Sequence, residues 1–211
     1  LTLKQLFLDI KDSHPEITMN TVALYLDRLF EEETEVCPND TIEADISSDT
    51  TLLLNTDVVV DDGIIIKIKS IFDYTDGEIG DSIPRLVTDS VPTYSSNAVW
   101  FDNNGVVTFL GCDNITDVLF DVQYIPDTFG GSDEDAVIPV PRILNGCLSD
   151  FINWKLYIKK AASALDPQLS QQLSFLARYH TREFYRKLGR ANMGKTKVRL
   201  RMMSPNRGGI L

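Results

Sequence analysis

The residues Gly189-Arg190-Ala191-Asn192-Met193-Gly194-Lys195-Thr196 meet every fixed position of the phosphate-loop pattern G-x-x-x-x-G-K-[ST]. That chemistry needs a strand feeding the loop and a helix leaving it, so that backbone N–H groups and the helix dipole hold the phosphates. Here a long helical pattern enters instead. The residues after Thr196 include Ser204-Pro205-Asn206-Arg207-Gly208-Gly209, which sustains no helix, and no later strand offers a second acid. The match reads better as a helix ending at Gly189, followed by a basic tail. The loop Asp73 to Asp81 has acids and a glycine in the manner of a calcium loop. With Gly77 at the sixth position, however, Phe72, Tyr74 and Ile83 fall on ligand positions, so a solvated acidic turn is expected. His14 and His180 stand in no metal-ligand spacing with a cysteine, and core-edge or surface positions are expected for both. The three cysteines, Cys37, Cys112 and Cys147, are odd in number and far apart, which points to reduced thiols; Cys147 reads as a buried structural thiol. No catalytic residue, cofactor or metal is assigned, and the chain is not read as an enzyme.

Charge is the strongest signal. Residues 1–141 hold 28 acids against 6 Lys and Arg, a formal −22, whereas residues 142–211 hold 3 against 14, or +11. Arg178, Arg182, Arg186 and Arg190 recur every four residues and form a row on one helix; Lys195, Lys197, Arg199, Arg201 and Arg207 continue the basic character to the end. Such a stretch serves as a sequence-independent nucleic-acid footprint, as an arm that docks on an acidic protein surface, or as a solvated tail. The arm is the favoured reading. No apolar run reaches the ~20 residues of a membrane span, and the acid-containing opening Leu1 to Ile10 is unlike a signal peptide.

Periodicity gives the elements that carry these groups. Leu3, Leu6, Phe7 and Ile10 share a helical face, with Thr2 and Gln5 as a capping box. Val22, Tyr25, Leu26, Leu29 and Phe30 form a second face, and solvation is expected to offset the acids Glu31, Glu32, Glu33 and Glu35 at its unfavourable end. Thr51 to Val60 and Ile64 to Phe72 read as strands joined at Asp61-Asp62-Gly63 as a hairpin. Ala98 to Phe101 with Val106 to Leu110 make another hairpin, and Val118 to Ile125 a last strand. Beyond an acidic glycine linker, Val137 to Pro141 is extended. Leu144, Leu148, Phe151, Ile152 and Leu156 mark a third helix. Asp166-Pro167 starts a fourth, whose inner face runs through Leu169, Leu173, Leu176, His180, Phe184 and Leu188. Most aromatics of these helices read as packing, with Trp154 and Tyr185 open to an intersubunit contact. The expected fold is α+β: a small helical bundle of N- and C-terminal helix pairs, an inserted antiparallel β-sandwich or barrel-like domain, and an extended basic C-terminal tail. The expected segments are a hairpin (1–35), a β-rich insertion (36–128), a linker (129–141), a helix pair (142–189) and a docking arm (190–211).

This layout resembles the head-to-tail connector proteins of tailed bacteriophages, the adaptor, ring or tail-tubular proteins below the portal, and among them those of short-tailed and crAss-like phages. The residues that carry it are Leu119-Phe120-Asp121-Val122-Gln123-Tyr124-Ile125-Pro126, the acidic glycine linker, Ile138-Pro139-Val140-Pro141-Arg142-Ile143-Leu144, Trp154-Lys155-Leu156-Tyr157 and the Arg178 to Arg186 helix. The resemblance implies a virion protein of the neck or tail, made in the host cytoplasm. It implies a homo-oligomeric ring, often a dodecamer, around the DNA channel used in packaging and ejection. Its implied partners are the portal protein, neighbouring ring or tail proteins and non-specific double-stranded DNA, with no membrane. The alternative reading is a DNA-binding or packaging accessory module that uses the basic arm.

Overall fold

The computed structural model describes residues 1–86, 97–102, 104–129 and 133–202, with side chains as far as residue 191 apart from that at 76. The elements in order are α1 (Leu3–Lys11), α2 (Met19–Glu32), β1 (Asn39–Asp45), β2 (Thr51–Leu53), β3 (Gly63–Asp73), β4 (Arg85–Leu86), β5 (Ala98–Phe101), β6 (Val106–Leu110), β7 (Asp117–Pro126), α3 (Asn145–Ser163) and α4 (Pro167–Met202). The fold is α+β. It divides into two compact units, one of residues Leu1–Val36 with Thr128–Leu211 and one of Cys37–Asp127.

In the helical unit, the Thr2 hydroxyl accepts from the Gln5 N–H while the Gln5 side chain accepts from the Thr2 N–H, so the capping box forms as expected. Leu3, Leu6 and Ile10 are buried, and α2 buries Val22, Tyr25, Leu26, Leu29 and Phe30. The N-terminus is tied to the segment before α3: Leu3 N–H donates to Ala136 O at 2.9 Å and Ile138 N–H to Leu1 O at 3.0 Å. α3 buries Cys147, Leu148, Phe151, Ile152 and Leu156. Asp166 caps α4 as expected, accepting from Gln168 N–H at 2.8 Å. Between α3 and α4, Phe151 packs on Phe184 at 5.5 Å and Trp154 on Tyr185 at 6.2 Å. Trp154 packs within the chain on one side and stays half-buried.

Three expectations for these helices are corrected. Leu169 and Leu176 are exposed, and the buried face of α4 runs instead through Ala177, Phe184, Leu188 and Ala191. Two of the four acids at the end of α2 are paired rather than simply solvated: Lys155 bridges Glu32 at 2.5 Å, and the Tyr185 hydroxyl donates to Glu33 at 2.6 Å, which with burial pushes that phenol up to about 12. Finally, Gly189 is not a cap. α4 runs through it to Met202, so the span expected as an extended tail from residue 190 begins as helix. A single interior glycine costs only about 1 kcal/mol, and the good helix formers around it, Leu188, Arg190, Ala191 and Met193, offset that.

The other unit holds two sheets, β1-β7-β3 and β2-β6-β5-β4; every pair is antiparallel except β4 with β5. They share one core in which Phe109 of β6 meets Phe120 of β7 edge-on at 6.1 Å. β7 alternates strictly, with Val118, Phe120 and Val122 inward. The hairpin of β5 and β6 is present; Asn103 in its loop lies outside the described residues. At Asp61-Asp62 the expected turn forms, with Val60 and Gly63 in an antiparallel bridge, but the pairing of two long strands across it does not. β2 stops at Leu53 because Asn55 turns the chain with φ at 61°, a conformation asparagine tolerates. β2 and β3 then join different sheets. The Asn55 carboxamide makes paired hydrogen bonds with the backbone of Ile65 at 2.7 and 3.2 Å, standing in for a strand neighbour at the edge of β3. Gly63 opens β3 where a Cβ would lie 2.4 Å from Ile125 O.

Two glycine substitutions check this fold. Gly189→Ala should raise stability by about 0.5–1 kcal/mol as a helix-interior change, since nothing lies within 4 Å of its Cβ position; a cap would make the same change destabilising. Gly63→Ala should cost about 1–3 kcal/mol. Urea midpoints at constant m-value measure both.

Candidate functional site

The α3–α4 seam holds a polar column that an apolar periodicity does not reveal. Asp150 is 7% exposed on the inner side of α3. One of its oxygens meets His180 Nδ1 at 3.0 Å and the other meets Lys187 Nζ, which also donates to Gly146 O at 2.6 Å. Tyr157 lies between the two histidines, 5.5 Å from the His180 ring and nearly parallel to it, and 4.7 Å from His14. His14 is fully buried, contrary to the expected edge or surface position. Lys160 Nζ lies 2.8 Å from His14 Nδ1 and 2.5 Å from Glu16. An ammonium has no acceptor, so Nδ1 must be the acceptor and the proton sits on Nε2. That Nε2 is buried with no partner among the described residues, as is Asn153 Oδ1.

This column orders the helices; it does not place a nucleophile. Cys147, the nearest thiol along α3, is fully buried, donates to Leu144 O at 2.8 Å and is pushed up to about 11 by burial. Cys37 is likewise raised to about 11. Among the described residues no group of His, Cys, Asp or Glu is gathered as a metal site, and no helix is long and apolar enough to cross a membrane. The phosphate-loop match is helical from end to end, so its amides follow the helix ladder and form no cradle.

The outer side of α4 carries the arginine row. Arg178, Arg182, Arg186 and Arg190 are all exposed. Arg186 is held by Glu183 of the same helix at 3.0 Å; Arg178 and Arg182 have no ionic or hydrogen-bonding partner among the described residues. Lys195, Lys197, Arg199 and Arg201 stand in the helical continuation with side chains outside the described residues, and Arg207 lies outside them altogether. The charge row also has aromatic company. Phe175 is 70% and Tyr179 53% exposed, and the spacing Phe175, Tyr179, Arg182, Arg186 puts all four on one helical stripe. Counting both as packing residues missed this. The signal was available, since 175 and 179 are out of phase with Phe184 and Leu188.

The sheet unit presents the opposite surface. Its residues Cys37–Asp127 contain 17 acids and 3 Lys and Arg, a formal −14, whereas the rest of the chain is at +3. On the outward side of β1-β7-β3, opposite to Val118 and Phe120, stand Glu43 and Asp45 of β1 and Asp117 and Asp121 of β7 around Leu119. Asp45 and Asp117 are direct cross-strand partners, a like-charge pairing that costs energy unless something offsets it. Local donors do so in part: Ser47 N–H reaches Asp45 at 2.7 Å, and the hydrogen bonds from Ser47 hold that carboxyl below its ordinary value, while the Thr116 hydroxyl donates to Asp117 at 2.7 Å.

No protein-family model and no curated protein matches the chain.

The column predicts a pH response. Burial, and then the Lys160 ammonium, hold His14 below its ordinary value of 6.5. As pH falls the unfolded chain therefore binds a proton that the folded chain refuses. The stabilisation is complete above 6.5 and drains away as pH drops from there to the folded-state value. The difference in urea midpoint between wild type and His14→Gln should therefore shrink on acidification from about pH 7.5 to 5.

Proposed function

We propose that this chain is a structural virion protein that forms a ring in the neck or tail of a tailed phage, joining portal to tail around the DNA channel. The observation that carries the reading is the segregation of charge: an acidic sheet unit at −14 in the same chain as a helix whose exposed stripe holds Phe175, Tyr179, Arg182 and Arg186. Two unlike, complementary surfaces on one chain favour head-to-tail contacts, which close into a ring where the rotation per step closes and run on as a filament where it does not. Work of this kind is geometric. It needs repeated interfaces and a hole, and an acidic lining would let DNA slide by repelling phosphate. The stoichiometry that goes with the resemblance is a dodecamer. The basic residues beyond Ala191, Lys195 to Arg207, are the proposed contact to the portal or the adjoining ring. Within this reading the two sheets of the acidic unit form a sandwich.

Arg178 and Arg182, unpartnered among the described residues, favour one second reading, a DNA-binding or packaging accessory module whose basic stretch holds phosphates. Negative-stain images and native mass spectra of the purified chain at physiological salt should give rings of one stoichiometry; monomers alone at every concentration would sink the ring. Duplex-DNA titrations across a salt series test the other. Binding through several arginines requires a log–log slope of about −0.9 per phosphate neutralised, and that slope should fall when the chain is cut after Ala191.

A further inference from the structure

We infer that α4 of one copy docks across the outward face of the β1-β7-β3 sheet of the next copy. Phe175 and Tyr179 would cover Leu119, and Arg178, Arg182 and Arg186 would meet Glu43, Asp45, Asp117 and Asp121. The inference rests on the ring reading and names the contact that would build it.

Three observations support it. The first is an unsolved electrostatic problem on each surface. Asp45 and Asp117 oppose each other across two strands, with Glu43 and Asp121 on the same side. On that side β3 offers Lys67, in register with Gln123 at the far end of β7 from Asp117, and Lys69, whose ammonium is drawn to Asn39 of β1 at that same end. On α4, Arg178 and Arg182 are exposed and unpartnered among the described residues. Each surface would relieve the like-charge repulsion of the other.

The second is dimension. Arg178 and Arg186 are eight residues apart on a helix rising 1.5 Å per residue, about 12 Å. Asp117 and Asp121 are four residues apart on a strand rising about 3.3 Å per residue, about 13 Å. Asp121 and Glu43 are diagonal neighbours on adjacent strands, about 7–8 Å apart. A helix laid along β7 thus brings its guanidinium groups over carboxylates at matching intervals. The third is composition. The sheet face is apolar at its middle, where half-buried Leu119 of β7 is paired in register with Phe72 of β3, and acidic toward β1. The helix stripe pairs two exposed aromatics with three arginines. Aromatic anchors within a charged rim are the usual anatomy of a specific protein contact. The occupant is therefore a second copy of this chain, since both halves of the fit are present in it.

The experiment is a charge swap. Variant A carries Arg178→Glu and Arg182→Glu; variant B carries Glu43→Lys and Asp121→Lys. Arg178, Arg182 and Glu43 are exposed and Asp121 is half-buried, so circular dichroism with a melting curve checks that each variant folds. In sedimentation velocity, A alone and B alone should need about a hundredfold or more higher concentration than wild type to assemble. An equimolar mixture should assemble again, because the acidic helix of A meets the basic sheet of B while the basic helix of B meets the acidic sheet of A. Should B fold poorly, Glu43→Gln with Asp121→Asn replaces it and should weaken assembly without the rescue. If wild type assembles and A and B assemble equally well, the contact lies elsewhere and only this inference falls. If wild type never assembles, the ring reading falls with it. If A loses duplex-DNA binding while assembling like wild type, the occupant of the α4 stripe is nucleic acid and the inference is overturned.

Discussion

A carboxylate at 7% exposure sets the frame of the helical unit. Burying an ionised Asp costs several kcal/mol unless it is paired and hydrogen-bonded, and removing a partner from such a group is strongly destabilising. Asp150 meets this with two groups from α4, His180 and Lys187, which are seven residues or two turns apart. One acid on α3 therefore fixes both the rotation of α4 about its axis and its position along it. Aromatic packing of Phe151 on Phe184 agrees with that register but does not dictate it, since apolar contacts tolerate sliding. With the rotation fixed, Phe184 and Leu188 face inward, and Phe175, Tyr179 and Arg182 must face out. The exposed stripe is a consequence of a buried ion pair on the other side of the same helix.

The two units solve opposite problems. The sheet unit has an ordinary apolar core beneath a surface that repels itself; the helical unit is almost neutral in sum yet concentrates its cations on α4. Neither arrangement improves the stability of an isolated copy. Surfaces of unlike charge steer encounter and exclude wrong partners more than they add raw affinity.

Much of this was legible in the residues. The capping box at Thr2 and Gln5, the start of α4 at Asp166-Pro167 and the alternation along β7 are local signals, and local structure obeyed them. The misses share a cause, which is that tertiary context overrode a local cue. The run from Thr51 to Val60 looks like one strand because Asn55 is a single polar residue among β-branched ones, yet its side chain is needed at Ile65 of another sheet. Gly189 looks like a helix end, but the helix runs on and buries Ala191. Asp150 and His14 were illegible for a different reason. Asp150 within an apolar stripe, and His14 in the connection between α1 and α2, read as edge or surface positions until the groups that satisfy them, Lys187 for the carboxylate and the Lys160 N–H for the imidazole, are brought from distant parts of the chain.

The edge of β3 has a further meaning for how this sheet meets other chains. Asn55 occupies the backbone groups of Ile65, Ile83 and Asp81 pair with Ile71 and Asp73, and two bulges with Lys67 and Lys69 interrupt the stretch between. An exposed strand bearing Ile64 and Ile66 would otherwise template pairing with any neighbouring chain. Blunting it closes the route to open-ended strand addition. Any contact with another chain is then left to side-chain surfaces, which recognise one geometry rather than any extended backbone.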